Sequence, residues 1–181
     1  LTLSGAFIVD GCPGSSLEVD NVSVSNKGFS YRFIDANIAN DKGGGALSIG
    51  TAIGAYKKAL QYSQHRKAFK KPINQFQSIS FKLADMAVGL RAGQLMVKDA
   101  IARANDGQMS DSDAAMVKLY CSEMLCRTAD DAVQIYGGMG LMEEMPIHRL
   151  WRDSRLERIW DGTSEIQRHI ISRDLLRPLN A

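Results

Sequence analysis

The 181-residue sequence is poor in the residues that build metal centres and disulfide frameworks. Cysteine occurs three times, at 12, 121 and 126. The number is odd, and Cys121 and Cys126 point in different directions if they share a helix. His65, His148 and His169 are isolated, so no metal-ligand spacing exists and no metal is expected. Sparse, unpaired cysteine fits a reducing compartment. No window approaches the roughly 18 consecutive apolar residues of a membrane span, so no membrane partner is expected. The formal net charge is only +2, which argues against a nucleic-acid or acidic partner. Leu1-Thr2-Leu3 carries neither an initiator Met nor a charged-then-apolar signal pattern, and the chain reads as a fragment or a processed product. Fixed-period repeats and low-complexity tracts are also missing.

What is present is ordinary for one globular domain with its own core: 45% hydrophobic and 23% charged residues. Residues 1–35 read as β or irregular. Leu3 to Val9 is a candidate strand, Asp10-Gly11-Cys12-Pro13-Gly14 a turn cluster, and Leu17, Val19, Val22 and Val24 suggest a second strand. Lys42-Gly43-Gly44-Gly45 reads as a hinge. A helix is predicted from about Leu47 to Phe69, with Gly50 and Gly54 on one face where a neighbour approaches closely. A second runs from Gln75 to about Ala104, on the spacing of Phe76, Ile79, Leu83, Met86, Leu90 and Val97, and ends at Asn105-Asp106-Gly107. Ser110 or Ser112 opens a third, which ends at Gly137-Gly138. A short helix near Pro146–Asp153 precedes a last one from about Thr163 to Leu176. The fold class is therefore mainly α: an antiparallel four-helix bundle with a short N-terminal β remnant.

Three stretches stand out chemically. Arg158-Ile159-Trp160-Asp161-Gly162-Thr163-Ser164-Glu165-Ile166-Gln167-Arg168 breaks the helical rhythm at Asp-Gly and restarts at once. Thr163 or Ser164 can cap the new helix, and Ser164-x-x-Gln167 fits a capping box. A carboxylate, Asp161, sits beside a helix start whose free N–H groups favour anions. The bland reading is a turn plus a cap. Arg66-Lys67-Ala68-Phe69 places cations at a helix end, which the helix dipole alone explains. Gln134-Ile135-Tyr136-Gly137-Gly138-Met139-Gly140 reads as a glycine-capped helix end and lacks the Lys-Ser/Thr of a P-loop. Arg149, Arg152, Arg155 and Arg158 recur every third residue near Trp151 and Trp160. Asp153 and Glu157 interrupt that charge, so surface and interface ion pairs explain it better than nucleic acid.

As strings, these stretches resemble the acyl-CoA dehydrogenases. Trp160-Asp161-Gly162-Thr163-Ser164 is similar to the family's aromatic-Glu-Gly-Thr-Ser segment, with Asp161 in place of the catalytic Glu. The stretch from His65 to Ala87 resembles a family segment in which Arg and Phe reach the ADP half of a neighbouring subunit's FAD. Gln134 to Gly140 resembles the family's glycine-rich pocket for the same cofactor. The likeness runs from about Ala46 to Leu179. It implies residues 38–181 as the C-terminal helical bundle and 1–35 as a remnant of the middle β-domain.

The resemblance further implies α,β-dehydrogenation of an acyl-CoA thioester. Asp161 would be the base, with Trp160 and Gly162 beside substrate. Arg66, Phe69, Gln77, Gln134, Gly137, Gly138, Thr163 and Glu165 would bind FAD. Electron-transfer flavoprotein would be the partner, the chain a homodimer or homotetramer, and the location a bacterial cytoplasm or mitochondrial matrix. Asp41 is the rival base, and Gly45 stands where the family commonly has an Arg for CoA. The second reading is a non-catalytic helical bundle that assembles or scaffolds.

Overall fold

The computed structural model describes residues 16–19, 22–25 and 42–176. The expected strand at Leu3–Val9, the turn cluster after it and Asp41 lie outside the described residues. Where one strand was expected around Leu17–Val24 there are two, β1 (Ser16–Val19) and β2 (Val22–Ser25), paired antiparallel. Five helices follow among the described residues: α1 (Lys42–His65), α2 (Gln77–Asn105), α3 (Asp111–Tyr136), α4 (Pro146–Ser154) and α5 (Ser164–Leu176). A tiny hairpin, β3 (Lys67–Ala68) with β4 (Lys71–Pro72), joins α1 to α2. The short connections make successive long helices antiparallel, so α1 and α3 run the same way.

The first helix corrects the sequence reading at both ends. The three glycines are not a hinge; α1 begins at Lys42 and includes them. Gly45 is buried, and a Cβ there would lie 2.6 Å from Val117 Cγ1. At Gly45, tertiary contact with α3 offsets the roughly 1 kcal/mol helix penalty of glycine. The helix also stops at His65 rather than Phe69. Phe69 and Lys70 both have positive φ, 50° and 69°, the pattern of the two-residue turn that closes a hairpin. Lys70 occupies a position where glycine is the comfortable choice.

Small side chains set the central packing. Ala52, Ala55 and Ala59 on α1 and Ala115, Ala129 and Ala132 on α3 are all fully buried, and these two helices share the largest contact in the molecule. Gly50 and Gly54 are buried too, as their spacing predicted. Two apolar clusters result. One, around Ile49, Ile53, Leu90 and Leu125, fills the end where α1 and α3 begin. The other, around Ile73, Met86, Ile135 and Ile147, fills the end where they finish.

Ser110 starts α3 with a reciprocal cap. Its Oγ accepts from the Asp113 backbone N–H at 3.1 Å, and its own N–H donates to the Asp113 carboxylate at 3.0 Å. Arg103 of α2 also bonds that carboxylate, at 2.9 Å. Desolvation pushes the Asp113 carboxyl up, but the Ser110 bonds and the Arg103 charge outweigh it and hold it below the usual value. Replacing Ser110 by Ala is expected to cost about 1 kcal/mol, read as a lower urea midpoint at an unchanged denaturant slope.

Candidate active site

The turn before α5 is held at every point. Leu156–Arg158 forms one turn of tight helix, after which the chain reverses through Asp161 and Gly162, with φ of 51° and 90°. Aspartate tolerates the left-handed region better than most residues. Any substitute at Gly162 is strained by the φ of 90°, and its Cβ would also displace the Gln167 amide, 2.6 Å away. Thr163, half-buried, is the cap: its Oγ1 accepts from the Ile166 N–H at 3.4 Å and its carbonyl from the Gln167 N–H at 3.0 Å.

This corrects the expected Ser164–Gln167 capping box. Ser164 is the first residue of the helix, and both side chains do other work. Ser164 Oγ donates to Glu123 Oε1 of α3 at 2.9 Å. Gln167, fully buried, donates from Nε2 to the carbonyls of Gly162 and Asp161 at 3.2 and 3.4 Å.

The central tie is one that sequence reasoning missed. Lys118 of α3 is 1% exposed, and its ammonium donates to the Trp160 carbonyl at 3.1 Å and to the Gly162 carbonyl. These two acceptors flank Asp161. The buried charge faces Glu157, itself buried, whose carboxylate accepts from Ser48 Oγ of α1 at 3.2 Å and from the Trp160 side chain. Burial raises the Glu157 pKa above the usual range, against the lowering effect of those hydrogen bonds and of Lys118; the Asp161 charge adds to the rise. A second clamp is Glu123, whose Oε1 accepts from Arg158 Nε at 3.0 Å and lies 3.7 Å from Arg168. The signal available in the sequence was a lysine on the face of α3 shared with Ala114, Cys121 and Leu125.

Asp161 itself is exposed, as is Glu165, and Trp160 is half-buried. The Glu165 carboxyl is held below its usual value, first by its own backbone N–H and then by the Thr163 hydroxyl. Trp160, Asp161, Gly162, Thr163 and Glu165 therefore form one group on the surface, over a buried ionic floor. A side chain at position 45 would require Val117 to move, since its Cβ would lie 2.6 Å from Val117 Cγ1.

Because the folded protein holds the Glu157 proton more tightly than the unfolded chain, the carboxyl's contribution is complete below its ordinary pKa. It is lost as pH rises through the raised folded value. The stability advantage of wild type over Glu157→Gln is expected to shrink as pH rises above the ordinary glutamate range, measured by urea unfolding of both proteins across a pH series.

The other predicted residues gather at the opposite end of the bundle. Tyr62 and Tyr136 stack at 4.0 Å between ring centroids, tying the end of α1 to the end of α3. Over that pair lies an open groove of about 810 Å³, whose walls include Arg66, Phe69, Phe76, Tyr136, Gly137 and Gly138. Phe69 is 90% exposed at the hairpin tip, edge-on to Phe76 at 6.1 Å. Gly137 turns the chain at φ 62°, and a Cβ on Gly137 or Gly138 would meet nothing within 4 Å. Backbone there is open to a ligand. Gln77 is the first residue of α2 and Gln134 lies one turn before Gly137; both are exposed at the groove's edge rather than in its walls. The sequence thus brought four of its six groove residues to one surface.

The two sites cannot merge within a single chain. Ser48, under the Asp161 turn, and Arg66, in the groove, are separated along α1 by about 27 Å. Both cysteines among the described residues are structural. Cys121 is fully buried, with its thiol pushed up to about 12 by burial, and Cys126 donates to the Ser154 carbonyl at 3.1 Å. No group of residues that could hold a metal exists among the described residues, and no helix there is long and apolar enough to cross a membrane.

Comparison with known proteins bears on the family of the chain. The family profile described as "Acyl-CoA dehydrogenase, C-terminal domain" matches residues 42–176. A 3-(aryl)acrylate reductase of Clostridium sporogenes is 37% identical over 92% of this chain and 46% of its own length. The Caffeyl-CoA reductase-Etf complex subunit CarC of Acetobacterium woodii has the same identity and coverage. The solved butyryl-CoA dehydrogenase of Megasphaera elsdenii superposes with a TM-score of 0.75 at 36% identity, over 87% of this chain and 43% of that one. The chain spans less than half the length of these relatives. With a profile match over the whole helical region, the chain belongs to the acyl-CoA dehydrogenase family.

Proposed function

We propose that this chain supplies the base and part of the flavin site of an FAD-dependent enzyme that removes hydrogen across the α,β-bond of an acyl-CoA thioester. The observation that carries the proposal is the Asp161 turn: an exposed carboxylate, in the family's Glu position, on a backbone pinned on both sides by Lys118. Asp161 takes the α-proton from Cα. The β-carbon gives up a hydride, and a double bond forms between the two carbons. FAD, when bound, would supply the hydride acceptor, and an electron-transfer flavoprotein would be the partner that reoxidises it. Trp160 and Gly162 border the substrate, while Thr163 and Glu165 lie on the cofactor side of the same turn.

Arg66, Phe69, Gly137 and Gly138, with Gln77 and Gln134 at the edge, fit the ADP half of FAD. A guanidinium suits a diphosphate, an exposed ring suits stacking, and uncovered backbone permits close approach. Their distance from Asp161 along α1 supports a groove that serves a neighbouring subunit's cofactor, hence a homodimer or homotetramer. Residues 1–35 belong, in this reading, to a middle β-domain. A bacterial cytoplasm or mitochondrial matrix is the matching location.

The test is anaerobic titration of the FAD-loaded whole protein with saturated acyl-CoAs of graded length. Bleaching of the flavin absorbance is the expected result, and Arg66→Ala should weaken FAD retention. An FAD-loaded protein that no acyl-CoA bleaches would overturn the reading in favour of a scaffold.

A further inference from the structure

Trp160 is held by each of its hydrogen-bonding groups. Its backbone N–H donates to the Leu156 carbonyl at 3.1 Å. Its carbonyl accepts from the Lys118 ammonium at 3.1 Å. Its indole N–H, the only donor in the side chain, bonds the Glu157 carboxylate. Glu157 is 6% exposed, whereas Trp160 is half-buried. With its N–H edge turned in to Glu157, the ring keeps its remaining surface for whatever meets the turn from outside.

A tryptophan on a surface turn normally has several staggered orientations open to it. Here the acceptor that selects one of them is itself fixed. Ser48 Oγ of α1 donates to Glu157 Oε2 at 3.2 Å, and the buried Lys118 ammonium of α3 faces the same carboxylate. Two long helices therefore hold the ring through one side chain. Stability alone gives no reason for this arrangement, because apolar residues of similar volume often serve a core as well as a buried ion pair or better. What the pair adds is direction. The ammonium grips the Trp160 and Gly162 carbonyls, and the carboxylate grips the Trp160 ring. Trp151 shows the contrast: its indole N–H also meets a carboxylate, Asp130 at 3.2 Å, but that pair is exposed and no ion pair lies beneath it.

We infer that Glu157 is a positioning residue for the reaction: by holding the indole N–H it makes the Trp160 ring a rigid wall beside Asp161, against which the acyl group lies while its α-carbon meets the base. This rests on the reading of Asp161 as the base and of Trp160 as bordering the substrate. Glu157 touches neither substrate nor cofactor and acts only through the ring. A loose ring would leave the acyl-CoA bound but its α-carbon poorly placed, so the loss falls on the chemical step rather than on binding.

The first test reads the ring without substrate. In FAD-loaded whole protein carrying Trp151→Phe, 5-fluorotryptophan labels position 160 in this chain. A single narrow fluorine resonance is expected. Glu157→Gln should broaden or split it, because an amide offers one oxygen where the carboxylate offers two, and the Lys118 ammonium and Ser48 hydroxyl compete with the indole for it. The second test is stopped-flow flavin reduction. Glu157→Gln should lower the limiting rate on the order of 10-fold, while the acyl-CoA concentration for half-saturation changes by less than about 3-fold. Trp160→Phe keeps a ring but removes the donor, and should show the same split. In the Trp160→Phe background, Glu157→Gln should then cause little further loss. Circular dichroism and flavin content check the fold. If Glu157→Gln does not fold, Trp160→Phe decides, since it leaves the ion pair in place. An unchanged fluorine signal in Glu157→Gln would overturn the inference. So would wild-type reduction by Trp160→Phe, or an equal loss from Glu157→Gln with either ring at position 160. A wild type that no acyl-CoA bleaches overturns the catalytic reading instead, and is told apart by a fluorine signal that still depends on Glu157.

Discussion

Asp161→Asn is expected to slow substrate-driven flavin reduction in the FAD-loaded whole protein by about 10²–10⁴-fold, the range for loss of a general base, while leaving FAD bound. Asparagine is nearly isosteric, and it tolerates the left-handed conformation that residue 161 adopts at φ 51°. The Lys118 and Gln167 bonds go to backbone carbonyls, so the turn should survive the change. The readout is stopped-flow bleaching at saturating acyl-CoA, with the flavin content of the variant checked by absorbance. Asp41→Asn is the control, since Asp41 is the rival base. If Asp41→Asn abolishes bleaching while Asp161→Asn proceeds at the wild-type rate, the assignment to Asp161 is wrong.

Asp161→Glu, which restores the family residue, is the complementary probe. Aspartate is one methylene shorter than glutamate, so its carboxylate falls about 1 Å or more short of the position a glutamate would reach, and a displacement of that size can change rate on the order of 10²-fold. A rate gain on lengthening would mean the substrate sits where it does in glutamate enzymes. A rate loss would mean the site is shaped around the shorter base.

The second large effect is on stability. Lys118→Met removes the cation from a site where Glu157 is already buried, and leaves the carbonyls of Trp160 and Gly162 without their donor. Breaking one side of a buried charge pair costs about 3–5 kcal/mol, and urea unfolding should show a loss of that order. The double variant Lys118→Met with Glu157→Gln should recover part of it, because the uncompensated carboxylate is gone. Additive losses would mean that the two groups do not interact. The lysine also bears on chemistry. It fixes the backbone on both sides of Asp161, so a Lys118→Met protein that still folds should retain FAD yet reduce it slowly. Loss of FAD alone, with normal reduction in the fraction that remains loaded, would count against the positioning role.

How much of this was legible beforehand depends on the range of the interactions concerned. Helix boundaries near Asn105-Asp106-Gly107, at Ser110 and at Gly137 were readable because capping and turn formation act within about four residues. The start of α1 was misread because the sequence shows three glycines and not the Val117 side chain lying against Gly45. The end of α1 was misread because a two-residue hairpin, closed by Phe69 and Lys70, looks like a continuing helix of charged and small residues. The capping box at Ser164 failed for a related reason. The motif was present, but Glu123 and the turn carbonyls offered its side chains better-placed partners.

The helical class, the order of the helices, the family, and the short strings that carry Asp161, Arg66 and Gly137 were all legible in the chain. Each of these is encoded by neighbours in the chain, through periodicity, capping or a contiguous motif. Packing between the helices, by contrast, set Lys118 beneath Asp161, 42 and 44 residues from its two acceptors. It alone set Glu157 against Ser48 across 109 residues, put the Asp161 turn and the groove at opposite ends of α1, and left the Val88 face of α2 turned outward. Those facts follow from which helix faces are buried together, and a linear pattern specifies that a face is apolar without specifying what it meets.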